Sequence, residues 1–408
     1  MTDLGVLAPS WVEPCSPDEG AARATALFER SFGGPPACVA SAPGRVTLIG
    51  EHTDYAAGLS VATVTTHGTF VAARVRDDDA VRIVSGEGDD VPGPGPRWEG
   101  SLPALEPGSV TGWPAYAAGV LWAFEERGYP VRGVDLAVET TLPPGAGLAA
   151  SASFTIAVAR AVAEACGIAL AGPRGERELA EACWEAERRF VGRPVGRLDP
   201  YAIVQCREDE SVLLDFAQRP PVVQAGPLYL HDYGLRLLVI DTRHRTPDWA
   251  DSYANRRKDA ERAAAALGVP NLRAIADMHH PERKITRLED ERLARHALHV
   301  VTEIGRVRAV AALLNGLAPA EDRFTEIGDL LLATHASLRD DYHVSTDALD
   351  LAVRVAVREG ALGGRLIGAG WGGAAMALVR AVDARRIGEA VDREFAEVGK
   401  DRPRLLLA

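Results

Sequence analysis

Residues 42–58 read APGRVTLIGEHTDYAAG. Arg45, Glu51, His52 and Asp54 fall close together there, between two apolar, strand-like segments. Gly44 and Gly50 permit backbone angles or close approaches that a Cβ would block. So polar a run is not simple core. Taken alone it reads as a solvated loop with local salt bridges. Two glycine-rich loops far downstream change that reading.

Residues 143–153 read PPGAGLAASAS and lie between a strand, Val134 to Thr140, and a helix N-terminus. Unpaired backbone N–H groups and the helix dipole suit such a place to phosphate. Gly145 and Gly147 let the backbone approach an anion, and small residues at 149–153 keep side chains out of its way. The structural alternative is an ordinary helix start capped by serine. No Gly-Lys-Ser/Thr follows, so this is not a Walker A loop, and the protein-kinase motifs are absent too. Residues 368–373 read GAGWGG, which matches the GxGxxG pattern of dinucleotide sites. That pattern must lead into a helix. Ala374 to Val379 is strand-like instead, which predicts a tight β–β turn, either a crowded corner or a backbone wall against a ligand.

The 408 residues are 47% hydrophobic and 25% charged, a soluble globular composition long enough for two domains, or three at most. The net charge of −12 leaves no basic footprint for nucleic acid. It does not exclude ATP, because backbone amides and Mg²⁺ hold phosphates in acidic proteins. Cys15, Cys38, Cys166, Cys183 and Cys206 include no CxxC pair, so neither zinc nor a disulfide framework is expected, and reduced thiols in the cytoplasm are. No secretory signal and no bilayer-spanning run is visible, so no membrane partner is expected.

Periodicity predicts helices at 21–32, 112–128, up to about 167, 175–190, from Pro200, then at 251–267, 290–315, 321–337, 346–359 and 383–397. Strands are expected near 37–41, 45–49, 68–76, 80–85, 134–140, 211–216, 221–230, 235–241, 365–367, 374–379 and 403–407. Residues 86–111 read as a loop with at most a short strand near Trp98. A change of composition near 217–250 divides the chain into domains 1–218 and 219–408.

Several residues have an ordinary structural reading beside a chemical one. Asp199 precedes Pro200, which makes it a good helix N-cap, and a carboxylate there is held ionised. Glu187, beside Arg188 and Arg189, sits on a charged helix whose default is a solvated face. Trp113 and Tyr116 begin an aromatic helix whose default is core. Tyr253 precedes Arg256, Arg257 and Lys258 on a helix facing either solvent or a ligand. His279 and His280 have no second cluster at ligand spacing, so no metal is assigned there.

Three loops in this order resemble the galactokinase branch of the GHMP small-molecule kinases, over nearly the whole chain after about residue 38. GRVTLIGEHTDY resembles the family's signature, the second loop its phosphate loop, and GAGWGG its third motif. Ala186-Glu187, Phe190 and the run Gly196 to Asp199 resemble the segment with a magnesium ligand and the catalytic aspartate. Residues 337–345 form another family-like run.

The resemblance implies an α/β (α+β) two-domain GHMP fold with the active site in the interdomain cleft. It implies ATP- and Mg²⁺-dependent phosphorylation of D-galactose at its anomeric hydroxyl by a monomer or weak homo-oligomer. Asp199 would be the base and Arg45 its electrostatic partner. Glu51, His52, Asp54, Tyr253 and the Gly196 backbone would bind sugar. Ser151 and Glu187 would hold Mg²⁺. The backbone of Gly145, Ala146, Gly147, Leu148, Ala149, Ala150 and Ser151 would wrap the ATP phosphates, with Trp113 and Tyr116 at the adenine. The chain departs from the family pattern at Thr47, Ala149, Ala150, Arg197, Pro200, Ala369 and Trp371. Arg197 and Pro200 raise the alternative of another hexose or a modified sugar. A non-catalytic ATP- and sugar-binding regulator is the alternative outside enzymes.

Overall fold

The computed structural model describes residues 10–86, 96–316 and 320–408. Residues 87–95 of the expected 86–111 loop, and the chain before residue 10, lie outside the described residues. The strand expected near Trp98 is present as Arg97–Ser101.

Two sheets carry the fold among the described residues. The larger has seven strands. Its centre is Leu59–Val75, which pairs with Cys38–Ile49 along one edge and with both Val134–Thr140 and Glu210–Asp215 along the other. Ala80–Ser85, Arg97–Ser101 and Val222–Pro227 complete it. The smaller, five-stranded sheet orders Ser10–Trp11, Arg404–Leu407, Leu235–Arg245, Gly372–Arg380 and Gly363–Ile367.

Local chemistry explains several boundaries. Ser16 and Glu19 form a capping box that starts helix Pro17–Phe32 with a proline in its first turn, and Gly33 at φ 73° closes it. The strands expected at 37–41 and 45–49 are one strand, because the chain passes Gly44 with a register shift rather than a turn. Gly44 is needed for proximity: a Cβ there would lie 2.6 Å from Leu142 Cδ2 and 2.9 Å from the Leu148 carbonyl, in the phosphate loop.

Val222–Pro227 belongs to the larger sheet and Leu235–Arg245 to the smaller, so the sheet pairing passes from one to the other between them. Ser10–Trp11, expected with the first domain, joins the smaller sheet through Arg404–Leu407.

Each sheet has its own apolar core. Val71, Ile83, Leu136, Val158 and Tyr201 lie in the first. Leu238, Ile240, Val300, Val307, Met376 and Ile387 lie in the second. Val46, Leu48 and Ile49 sit on a strand of the larger sheet but pack into the second core. Burying a side chain of this size contributes about 1.5–3 kcal/mol. Their packing therefore fixes the polar residues that follow, from Gly50 onward, at the seam between the two halves.

Candidate active site in the interdomain cleft

A cavity of about 580 Å³ opens at this seam and is walled by all three loops. Arg45, Glu51, His52, Asp54, Trp113, Tyr116, Gly145, Gly147, Ala149, Ala150, Ser151, Glu187, Gly196, Asp199 and Tyr253 line it. Ala146 and Leu148 do not. Both are 1% exposed and pack into the second core, anchoring the loop from beneath.

The phosphate loop leads into helix Ala150–Ala165. Neither nearby serine caps that helix, contrary to the ordinary reading of the sequence. Ala149 is the N-cap, in the left-handed region at φ 55°, with no side-chain cap. Ser153 donates to the Ala42 carbonyl instead, at 2.8 Å. The first N–H groups of a long helix are thus left without a side-chain partner at the cavity wall, the arrangement that favours an anion. The loop is braced against the third motif, since a Cβ at Gly147 (φ 69°) would lie 2.9 Å from Ile367 Cγ1 and 3.0 Å from its carbonyl.

Asp199 is not an N-cap. Helix Leu198–Gln205 begins one residue earlier, with Arg197 as its cap and Asp199 in its first turn. Arg45 holds the carboxylate, with Nε 2.8 Å and Nη2 2.6 Å from Oδ1. The same guanidinium donates from Nη1 to the Gly147 carbonyl at 2.8 Å. Arg45 is 5% exposed while the Asp199 side chain is 31% exposed, so the carboxylate faces the cavity and the guanidinium is buried. One side chain thereby ties the first motif, the phosphate loop and Asp199 together.

Glu51 and Asp54 form the adjoining wall. Glu51 Oε1 accepts the Gly368 N–H at 2.7 Å and lies 3.4 Å from Nη2 of the fully buried Arg365. Asp54 lies against Gly196, where a Cβ would collide with Asp54 Oδ2. Burial pushes the Asp54 carboxyl up to about 6, aided by Asp199 and Glu51. His52 lines the wall too, but both its ring nitrogens are bonded within the protein, to Tyr55 and to the Ala369 carbonyl.

Glu187 is not on a solvated face. The expected helix 175–190 ends as an α-helix at Glu185, and Ala186–Phe190 continue as a π-turn with Val191 N–H bonded to the Ala186 carbonyl at 3.0 Å. That turn rotates Glu187 inward, to 4% exposure. Burial pushes its carboxyl up to about 8, against a hydrogen bond from Ser151. A buried carboxylate beside a hydroxyl, with no salt-bridged cation among the described residues, suits a hard divalent ion that takes its remaining oxygens from phosphates and water.

Trp113 and Tyr116 flank the far end of the cavity, and Phe154 meets both edge-on at 6.4 and 6.5 Å. Phe154, Arg193, Arg245 and Trp249 also line the cavity. They were not identified from sequence, because only the fold brings them to the cleft. Arg197 turns away from it, bonding Glu181 at 2.7 and 3.0 Å and stacking on Trp184. Thr47 and Pro200 are buried outside it.

The fold and this site define a GHMP-type kinase, a phosphotransferase that uses an alcohol as acceptor and ATP as donor. Residues 115–207 match the GHMP kinases N terminal domain and residues 309–397 the GHMP kinases C terminal domain. Residues 26–75 match the galactokinase galactose-binding signature. A galactokinase of Streptomyces coelicolor is 39% identical over 384 residues, covering 93% of this chain and 94% of its own. One from Mycobacterium tuberculosis is 38% identical, covering 89% of this chain and 94% of its own. The crystal structure of Lactococcus lactis galactokinase complexed with galactose superposes with a TM-score of 0.83 at 26% identity, over 95% of this chain and 97% of that one. A mevalonate kinase from Methanococcus jannaschii, at a TM-score of 0.61 and 15% identity over 91% and 97%, shares the fold alone. The chain belongs to the galactokinase family.

Proposed function

We propose that this protein transfers the γ-phosphoryl group of ATP to the anomeric hydroxyl of D-galactose, giving galactose 1-phosphate and ADP. The observation that carries the reading is the Arg45–Asp199 pair, set between the phosphate loop and the Glu51–Asp54 wall. Asp199 accepts the hydroxyl proton as the sugar oxygen attacks. Arg45 keeps that carboxylate oriented and offsets negative charge on the phosphoryl oxygens. Phosphoryl transfer of this kind rests on positioning and electrostatics. Asp54, Glu51 and Tyr253 take sugar hydroxyls, and Trp113, Tyr116 and Phe154 enclose the base of the nucleotide. Ser151 and Glu187 would hold Mg²⁺, which when bound neutralises phosphate charge. Arg197 facing Glu181 supports galactose over a modified sugar, since this departure does not reach the pocket.

We place the enzyme in the cytoplasm, as a monomer or weak homo-oligomer without nucleic-acid partners. Its five cysteines are free thiols, and no described helix is long and apolar enough to cross a membrane. Purified protein with ATP, Mg²⁺ and a panel of hexoses tests the proposal. Galactose should be the preferred acceptor, and a better rate with another hexose would overturn the assignment.

A further inference from the structure

His52 is 4% exposed and has a left-handed backbone at φ 62°. Its imidazole is ringed by Tyr342, Tyr253, Tyr55 and Trp371, with centroids 5.0, 5.4, 6.0 and 6.1 Å away. Nδ1 lies 2.9 Å from the Tyr55 hydroxyl and Nε2 lies 3.0 Å from the Ala369 carbonyl oxygen. The Tyr55 hydroxyl lies 2.7 Å from that of Tyr342.

Donor and acceptor chemistry gives these bonds one direction. A carbonyl only accepts, so Nε2 carries a proton and donates to Ala369. Burial, with His299 adding to it, pushes the imidazole down to about 3, so the ring is neutral and Nδ1 is bare. Nδ1 therefore accepts from Tyr55, and the Tyr55 oxygen accepts from Tyr342. The chain runs from Tyr342, which follows helix Ala320–Asp340, through the first motif to the third glycine loop. It meets a second restraint there. The Gly368 N–H, one residue before Ala369, is bonded to Glu51. His52 and Glu51 thus pin the same turn, and both Ala369 and Glu51 line the cavity.

We propose that Tyr55 and Tyr342 are positioning residues of the sugar pocket. They hold the ring from its bare Nδ1, so that the Nε2–H tautomer set by the Ala369 carbonyl serves as a strut on that carbonyl and not as a hydrogen-bonding ligand of the sugar. The kinetic consequence rests on the galactose reading, whereas the tautomer does not.

The test uses the full chain with selectively ¹⁵N-labelled histidine. The His52 signal is assigned by its loss in His52→Gln. The wild type should show a single tautomer with the proton on Nε2. Tyr55→Phe removes the donor to Nδ1, and the Nδ1 resonance should move downfield toward that of an unbonded imidazole nitrogen, with the proton still on Nε2. The galactose KM should rise about 3–10-fold, the weight of one neutral hydrogen bond, with kcat and the ATP KM little changed. Tyr342→Phe should act in the same sense but more weakly, because Tyr55 still donates, and it carries the test if Tyr55→Phe does not fold. A proton on Nδ1 in the wild type would overturn the proposal. So would an unchanged Nδ1 resonance in a folded Tyr55→Phe, or equal effects on both substrates. If galactose is not turned over at all, the tautomer still decides, which separates this proposal from the functional one.

Discussion

Gly196 and Asp54 stand so close that a methyl group at position 196 would overlap the carboxylate. Gly196→Ala should therefore displace Asp54 and raise the galactose KM about tenfold or more, the cost of leaving a buried polar partner unpaired, with the ATP KM little changed in steady-state kinetics. Asp54 also sets a pH dependence. Its folded pKa of about 6 lies above its ordinary 3.8, so the folded state binds the extra proton between those values. Stability from this group is present below about pH 4 and is lost as pH rises through about 6. Sugar binding runs the other way, because the protonated acid loses acceptor capacity. The galactose KM should climb as pH falls below about 6. Asp54→Asn should raise the melting temperature at pH 8 while weakening galactose binding, and a lower melting temperature there would contradict the burial argument. Arg45, Glu51 and Asp54 stood out in the sequence because charged types cluster in one glycine-bounded run, whereas Asp199 stood out only through the family resemblance. His52 was legible as a member of the wall, but its commitment to Tyr55 and Ala369 depends on residues up to 317 positions away.

At the scale of elements, the uncapped helix start and the π-turn form the proposed phosphate and Mg²⁺ sites. Gly147 takes φ 69° where loop meets loop, so Gly147→Ala adds both strain and a contact with Ile367. ATP affinity should fall at least about tenfold, since two unfavourable terms of about 1 kcal/mol each combine. Equilibrium binding of a nucleotide analogue measures it. Glu187→Gln should leave the fold intact and raise the Mg²⁺ concentration needed for half-maximal rate. An unchanged Mg²⁺ requirement would remove Glu187 from the metal site. Helix and strand positions were legible because the apolar periods are strong, and Val134–Thr140 and Ala80–Ser85 match their expected spans. The π-turn was not. An α-helical period keeps Glu187 in register with Arg188 and Arg189, and only the i+5 bond to Ala186 rotates it inward. Asp199 looked like a cap because Pro200 follows it, but that proline is accommodated within the helix's first turn.

Across the whole molecule, buried ions from the second half grip the first motif. Arg365, fully buried, donates to the Leu48 carbonyl at 2.8 Å and to the Thr47 carbonyl. Glu303 accepts the Gly50 N–H at 2.8 Å and is paired with Arg306 at 2.7 Å. Arg365→Met would strand Glu51 and two carbonyls, and should cost about 3–5 kcal/mol in denaturant unfolding. Two domains and a cleft were legible from the order of the loops. The exact changeover was not, because Val222–Pro227 and the two-residue strand Ser10–Trp11 are placed by long-range pairing that leaves no local pattern. What the two halves build together is one acid, Asp199, held by one buried arginine at the meeting point of sugar wall and phosphate loop. The most direct measurement is galactose-dependent ADP release by the wild type and by Asp199→Asn, with the product identified by ³¹P NMR and galactose binding measured by calorimetry. The wild type should give galactose 1-phosphate and ADP in equal amounts. Asp199→Asn should be slower by about 10²–10⁴-fold, with galactose still bound. Near-normal turnover by Asp199→Asn, or galactose binding by the wild type without ADP release, would contradict this mechanism.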